Sequence, residues 1–116
     1  MHKIVVVVNH PPIGSERTYN AFRYAIALVD MGLDVKVFLL GDGVHAAKRD
    51  KKVPSGYHNL TEMIGNLEDA HVDVRACITC CAARGLNEHD LIDGVEMGNM
   101  VDLARWTKES DGVVNF

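Results

Sequence analysis

The sequence predicts an α/β fold, a three-layer α/β/α sandwich around a mostly parallel five-stranded sheet, and three observations carry this. Short apolar, β-branched runs alternate with segments whose apolar residues recur at three- and four-residue spacing. The order reads β-α-β-α-β-α-β-α-β, with no internal repeat, linker or low-complexity tract, and such alternation builds parallel sheets from crossover units. The first run, Lys3-Ile-Val-Val-Val-Val-Asn9, is continuously apolar, as a strand buried on both faces requires. At 116 residues the chain is expected to form one domain over 1–116, large enough for one core without disulfide or metal staples.

Each element follows in order. Asn9-His10-Pro11-Pro12-Ile13-Gly14 breaks the first strand, and Ser15 is placed to cap the next helix. Tyr19, Phe22, Ile26 and Val29 form that helix's sheet-facing side. Gly32 ends it, with Leu33 as the apolar partner of a Schellman turn. Asp34-Val-Lys-Val-Phe-Leu-Leu40 is the second strand and completes a right-handed βαβ unit. Gly41-Asp-Gly43 turns the chain, and 44–47 add a helical turn. Lys48-Arg-Asp-Lys-Lys52 places four positive charges in five residues, and a solvated loop is expected there ahead of an anion site.

Asn59 and Glu62 have capping-box spacing and open a helix with Leu60, Met63, Ile64 and Leu67 on one face. The third strand covers 72–76 and ends on Cys77. Asn87 caps a short segment containing Leu91 and Ile92, and Gly94-Val-Glu-Met97 is a short strand. Asn99 and Asp102 open a last helix with Met100, Leu103, Ala104 and Thr107 in register and Trp106 beside them. Gly112-Val-Val-Asn-Phe116 closes the sheet.

Composition narrows the function classes. A formal charge of −4 argues against direct nucleic-acid binding, which needs a basic face. The longest apolar run, residues 4–8, is far too short for a membrane span, and the first residues carry no signal-peptide pattern. Three cysteines crowded into one turn cannot make a secreted disulfide framework, so a reducing cytoplasm is expected. There is no dinucleotide fingerprint, P-loop or Gly-x-Ser-x-Gly motif, no obvious acid/base carboxylate pair, and no cofactor is expected.

The chemistry concentrates in Cys77-Ile-Thr-Cys80-Cys81-Ala-Ala-Arg84-Gly85. A strand delivers Cys77 to a strand-to-helix turn at the carboxyl edge of the sheet, where α/β ligand sites lie and where free N–H groups favour thiolate over thiol. Asn9-His10 and Gly41-Asp42 fall on the same predicted rim. Nucleophilic sulfur chemistry at Cys77 is weighed against a buried cysteine acting as a small hydrophobe. A thioredoxin-like pair fits the Cys77-x-x-Cys80 spacing but not the intervening Ile78-Thr79, nor a chain whose last proline is Pro54. Zinc would draw on Cys77, Cys80 and Cys81, with His10 or His89 as the fourth ligand, although adjacent cysteines make awkward joint ligands. Cys80 is expected either close to Cys77, as in other C-x-x-C turns, or as packing; Cys81 reads as packing.

The Lys3–Asn9 strand, Gly14-Ser-Glu-Arg-Thr-Tyr-Asn20, Phe38-Leu-Leu-Gly-Asp-Gly-Val44, Asp111-Gly-Val-Val-Asn-Phe116, and a cysteine eight residues before the glycine of Arg84-Gly85 together form a pattern. It resembles the DsrE/DsrF-like sulfur-carrier family, TusD-related, over essentially the whole chain. Ala83, in place of a second arginine, and the extra thiols at Cys80 and Cys81 make the chain look nearer to stand-alone DsrE-like members. The resemblance implies a persulfide on Cys77, accepted from a donor protein and relayed to an acceptor, and a trimeric or hexameric homo-oligomer. The aromatic and apolar residues around Tyr57 and Trp106 are candidate interface anchors. Cys77, Cys80 and Arg84 are the candidate site residues, and a redox-sensing or metal-binding module is the alternative function.

Overall fold

The structure is a computed structural model that describes residues 2–50 and 59–116. Among these residues five strands form one sheet in the order β4-β3-β2-β1-β5, and every pairing is parallel. The elements are β1 (Lys3–Val8), α1 (Arg17–Asp30), β2 (Asp34–Leu39), a 3₁₀ helix (Gly41–Ala47), α2 (Leu60–Asp69) and β3 (Asp73–Cys77). They continue with α3 (Ile78–Ala83), a 3₁₀ turn (Glu88–Asp90), β4 (Glu96–Gly98), α4 (Met100–Glu109) and β5 (Gly112–Asn115). The predicted fold class therefore holds, and the sheet is wholly rather than mostly parallel.

The order explains the layers. The connections from β1 to β4 all advance the same way across the sheet, whereas α4 carries the chain back past three strands to β5. Right-handed crossovers then place α1, α2 and α3 on one face and α4 on the other. The core follows the pleat: Val5, Val6, Val7 and Val8 are all buried, so both faces of β1 are covered. On β2, Val35, Val37 and Leu39 alternate with Lys36 and Phe38, and Phe38 meets Trp106 of α4 edge to face at 5.7 Å. Lys36 Nζ and the Arg75 guanidinium lie 5.1 and 5.0 Å from the Trp106 ring centre. The tryptophan is thus packed between an aromatic ring and two cations.

Several expectations shift. Ser15 does not cap α1; Glu16 holds that position, although the Ser15 hydroxyl accepts the Arg17 N–H at 3.3 Å. The buried side of α1 is Thr18, Ala21, Phe22 and Ala25, while Tyr19, Ile26 and Val29 are only partly buried beside it. Small residues face the sheet here because the helix lies close on it. Trp106 is a core residue, 6% exposed, and not an interface anchor. On α4 it is Trp106 and half-buried Leu103 that face inward, while Met100, Ala104 and Thr107 are exposed. Tyr57, with Lys51 and Lys52 of the basic run, lies outside the described residues.

Arg49 is no free loop cation. Its guanidinium donates to the Leu91 carbonyl at 2.9 and 2.6 Å and to Asp93 at 2.7 Å, tying the end of the 3₁₀ helix to the segment after α3. The asparagine caps hold: Asn59 accepts the Glu62 N–H, one half of a capping box, and Asn87–Asp90 and Asn99–Asp102 form reciprocal capping boxes. Gly32 has φ +87°, and the Leu33 N–H bonds the Leu28 carbonyl as a Schellman turn requires.

Candidate functional site

The site is built where β3 becomes α3 without an intervening loop. Cys77 is at once the last residue of β3 and the N-cap of α3. Cysteine plays the part that serine or aspartate usually plays: its Sγ accepts the backbone N–H of Cys80, the third helical residue, at 3.4 Å. The Thr79 hydroxyl lies 3.4 Å from the same sulfur. One sulfur atom therefore faces two groups of the helix's first turn.

Cys80 is held from the neighbouring strand end. Its Sγ accepts the Gly41 N–H at 3.2 Å, so the start of the 3₁₀ helix after β2 touches the thiol pair. The next residue, Asp42, accepts from Arg84 Nε at 3.0 Å, and Arg84 Nη1 donates to the Cys80 carbonyl at 3.0 Å. Arg84 thus binds the end of α3 to the β2 exit through Asp42 and the Cys80 backbone. The Arg84-Gly85 pair acquires a physical reason. Gly85 takes φ +70° after the helix, which lets the Leu86 N–H reach the Cys81 carbonyl at 2.9 Å. Leu86 is buried, and the turn leaves Arg84 facing Asp42.

The three thiols differ electrostatically. Burial pushes the Cys77 thiol up, but the Cys80 thiol, the Thr79 hydroxyl and the backbone N–H groups of Cys80 and Thr79 together hold it below the ordinary cysteine value. Cys80 moves the other way, raised by burial and by donating toward Cys77, against the opposing effects of Gly41 N–H and Arg84. Burial, with smaller contributions from Cys77 and Cys80, pushes Cys81 up to about 11. Exposure adds a second distinction: Cys77 is 3% exposed and Cys81 is fully covered, whereas Cys80 is half-buried. Cys80 is the outer thiol of the hydrogen-bonded pair.

The remaining rim residues divide. Because every strand runs parallel, the ends of β1, β2 and β3 do lie along one edge, and Gly41-Asp42 joins the cysteines there. Asn9 turns to the other side, its N–H and side-chain amide donating to the Phe116 carbonyl at 2.9 and 3.1 Å. His10 is fixed by its backbone, whose carbonyl accepts the buried Thr18 hydroxyl at 2.6 Å, while His10 Nδ1 is buried without a hydrogen-bond partner. His89 is exposed on the 3₁₀ turn. Among the described residues no group of three or more His, Cys, Asp or Glu side chains is arranged to hold a metal ion. No helix among them is long and apolar enough to cross a membrane.

Sequence reasoning found the three thiols and Arg84 but missed the Thr79 hydroxyl and the Gly41 N–H as partners of sulfur. Thr79 carried a local signal, since a hydroxyl two residues after an N-cap lies beside it. Gly41 carried none, because its contact spans 39 positions of sequence.

Comparison with known proteins adds to this geometry. The sequence profile of the DsrE/DsrF-like family matches residues 2–116. YchN of Escherichia coli is 44% identical over 118 residues, with full coverage of both chains. Its crystal structure superposes with a TM-score of 0.93. An uncharacterised protein of Methanocaldococcus jannaschii is 41% identical over 114 residues, covering 98% of this chain and 99% of its own. A protein named as a sulfurtransferase TusD homologue in Vibrio vulnificus is 28% identical over 127 residues, covering 98% and 97%.

Proposed function

This chain belongs to the DsrE/DsrF-like family, and we propose that it is a sulfur carrier that forms a persulfide on Cys77 and relays the sulfur to a partner protein. The observation that carries this reading is the set of donors around Cys77 Sγ, which favours a thiolate there while its two neighbours are held as thiols. The relationship to a TusD homologue in Vibrio vulnificus supports a sulfur relay at the level of the family.

In the loading step the Cys77 thiolate attacks the outer sulfur of a donor persulfide. A Cys77 S–S bond forms, the donor's S–S bond breaks, and the donor thiolate leaves with the electron pair. In the delivery step an acceptor thiolate attacks the terminal sulfur, and Cys77 leaves as thiolate. The same N–H and hydroxyl donors stabilise the anion before loading and after delivery. Arg84 is a positioning residue: its bonds to Asp42 and to the Cys80 carbonyl keep the Cys80 N–H aimed at Cys77. With Cys77 nearly covered, a small anionic donor is the suitable probe.

Intact-mass analysis after treatment with inorganic polysulfide tests the reading. The wild type is expected to gain one sulfur atom that a thiol reductant removes, and Cys77→Ser is expected to gain none. Equal loading of the variant would overturn the assignment. A purely redox-sensing role, the alternative that this thiol pair also serves, predicts oxidation without any gain of sulfur mass.

We also propose a homo-oligomer, a trimer or two stacked trimers. Trp106 does not contribute, but Met100 and Val101 on α4 and Met31 after α1 are exposed, at 59%, 62% and 79%. β5 is a sheet edge paired only with β1 among the described strands and carries the exposed Val113, and an open edge and exposed apolar side chains each favour association. Light scattering at micromolar concentration is expected to give three or six times the 12.8 kDa chain mass. A monomer would refute the assembly and leave the sulfur chemistry standing.

A further inference from the structure

We propose that Cys80 is a resolving thiol, which attacks the Cys77 persulfide, releases the stored sulfur as hydrosulfide and leaves a Cys77–Cys80 disulfide. This rests on the persulfide reading above and adds to it a fate for the sulfur that requires no acceptor protein.

The geometry points to this pairing and against Cys81. Cys77 and Cys80 are the N-cap and third residue of α3, three positions apart. Residues at that spacing on a helix stand roughly 5–6 Å apart at Cβ, and a disulfide needs roughly 3.5–4.5 Å between Cβ atoms, so closing the bond draws the two side chains together by about 1–2 Å. The two residues are already joined across the turn, since Cys77 Sγ accepts the Cys80 N–H at 3.4 Å. Cys80 is clamped in that orientation from two sides, by the Gly41 N–H on its sulfur and by Arg84 on its carbonyl. It is also the half-buried thiol of the pair, whereas Cys81 is covered. Cys81 is fully buried and lies outside the hydrogen bonds around Cys77 Sγ.

The step balances without an external oxidant. Cys80 Sγ bonds to Cys77 Sγ, and the bond from Cys77 Sγ to the terminal sulfur breaks. That sulfur leaves with the electron pair and takes the Cys80 proton, so a persulfide anion and a thiol become a disulfide and HS⁻. The sulfane sulfur is reduced and the two cysteines are oxidised. Loading also prepares the attack. In the unloaded site the anionic sulfur beside Cys80 opposes its ionisation; in the persulfide the charge moves to the terminal atom, while the Gly41 N–H stays on Cys80. A thiol reductant restores the dithiol.

The experiment loads the wild type, Cys80→Ala and Cys80→Ser with inorganic polysulfide, removes excess reagent, and follows intact mass and free sulfide without reductant. The wild type is expected to release one sulfide per loaded chain and to end two hydrogens lighter than the dithiol, with the bond mapped to Cys77 and Cys80 by peptide digestion. Both variants are expected to reach the loaded mass on longer exposure, Cys80→Ala more slowly because it lacks a donor to the Cys77 thiolate, and then to release sulfide at least about tenfold more slowly than the wild type, since the intramolecular attacker is gone. Release at equal rates with no mapped disulfide overturns the resolving role and leaves the carrier reading intact. Failure of the wild type to load overturns both, and the mass spectrum distinguishes the two cases before any release is measured.

Discussion

The iodoacetamide labelling rate of Cys77 is expected to level off at lower pH than in the denatured chain, and at lower pH than that of the other two thiols. The sign follows from the donors. Hydrogen bonds to the charged form favour it, so the group loses its proton at lower pH than a free cysteine despite the opposing effect of burial. Cys81, at about 11, is ionised in only about one molecule in ten thousand at pH 7. Removing donors should reverse the Cys77 effect. Thr79→Val deletes the hydroxyl 3.4 Å from Cys77 Sγ, and Cys80→Ala deletes the thiol donor while keeping the backbone N–H. A hydrogen bond to a charged group contributes about 1.5–3 kcal/mol, so each variant should lose about ten- to a hundredfold of its Cys77 thiolate at pH 7. Rates from mass-resolved peptide labelling across pH measure this. A native Cys77 profile at or above the denatured one, or no change in either variant, would show that the donors do not set its ionisation.

This electrostatic ordering shows how far the sequence alone could reach. The strands were legible because β-branched runs such as 4–8 have few other uses, and the caps were legible because Asn59, Asn87 and Asn99 bond residues only two or three positions away. The position of Cys77 at a strand-to-helix junction followed from those same local signals. What escaped was whatever depends on distance in sequence or on the identity of a facing surface. The inner side of α1 is Thr18, Ala21, Phe22 and Ala25, and a search for large apolar residues passes over alanine where a helix sits close to a sheet. Trp106 reads as an exposed anchor on α4 until Phe38, Lys36 and Arg75 arrive from two strands to enclose it. Arg49 reads as a solvated charge until Leu91 and Asp93 come within reach. The same limit applies at the site: three thiols in one turn are visible, but their unequal chemistry depends on Gly41 and Asp42, brought in from the end of β2.

Two glycine-to-alanine substitutions should move stability in opposite directions, and one of them should disturb the thiol site as well. Gly43 lies in the 3₁₀ helix against the end of β1, where a Cβ would collide with the Val8 carbonyl oxygen and carbon. Both are backbone atoms, and the Val8 carbonyl already accepts the Leu40 N–H at 2.8 Å, so neither side can yield cheaply. Overpacking of this kind costs about 1–3 kcal/mol or more, which lowers the thermal midpoint by about 10 °C in a domain of this size. Gly65 is the counterpart, inside α2 with nothing within 4 Å of an added Cβ. Alanine there restricts the unfolded chain and suits the helix, a gain of about 0.5–1 kcal/mol and about 3 °C. The displaced 3₁₀ helix in Gly43→Ala should also draw the Gly41 N–H from Cys80 and Asp42 from Arg84, loosening the clamp on the thiol pair. Calorimetry on the two variants reads the stability change, and the pH profile of Cys77 labelling in Gly43→Ala reads the clamp. A Gly43→Ala midpoint equal to that of the wild type would contradict the close approach of the 3₁₀ helix to β1, on which the placement of Gly41 beside Cys80 depends.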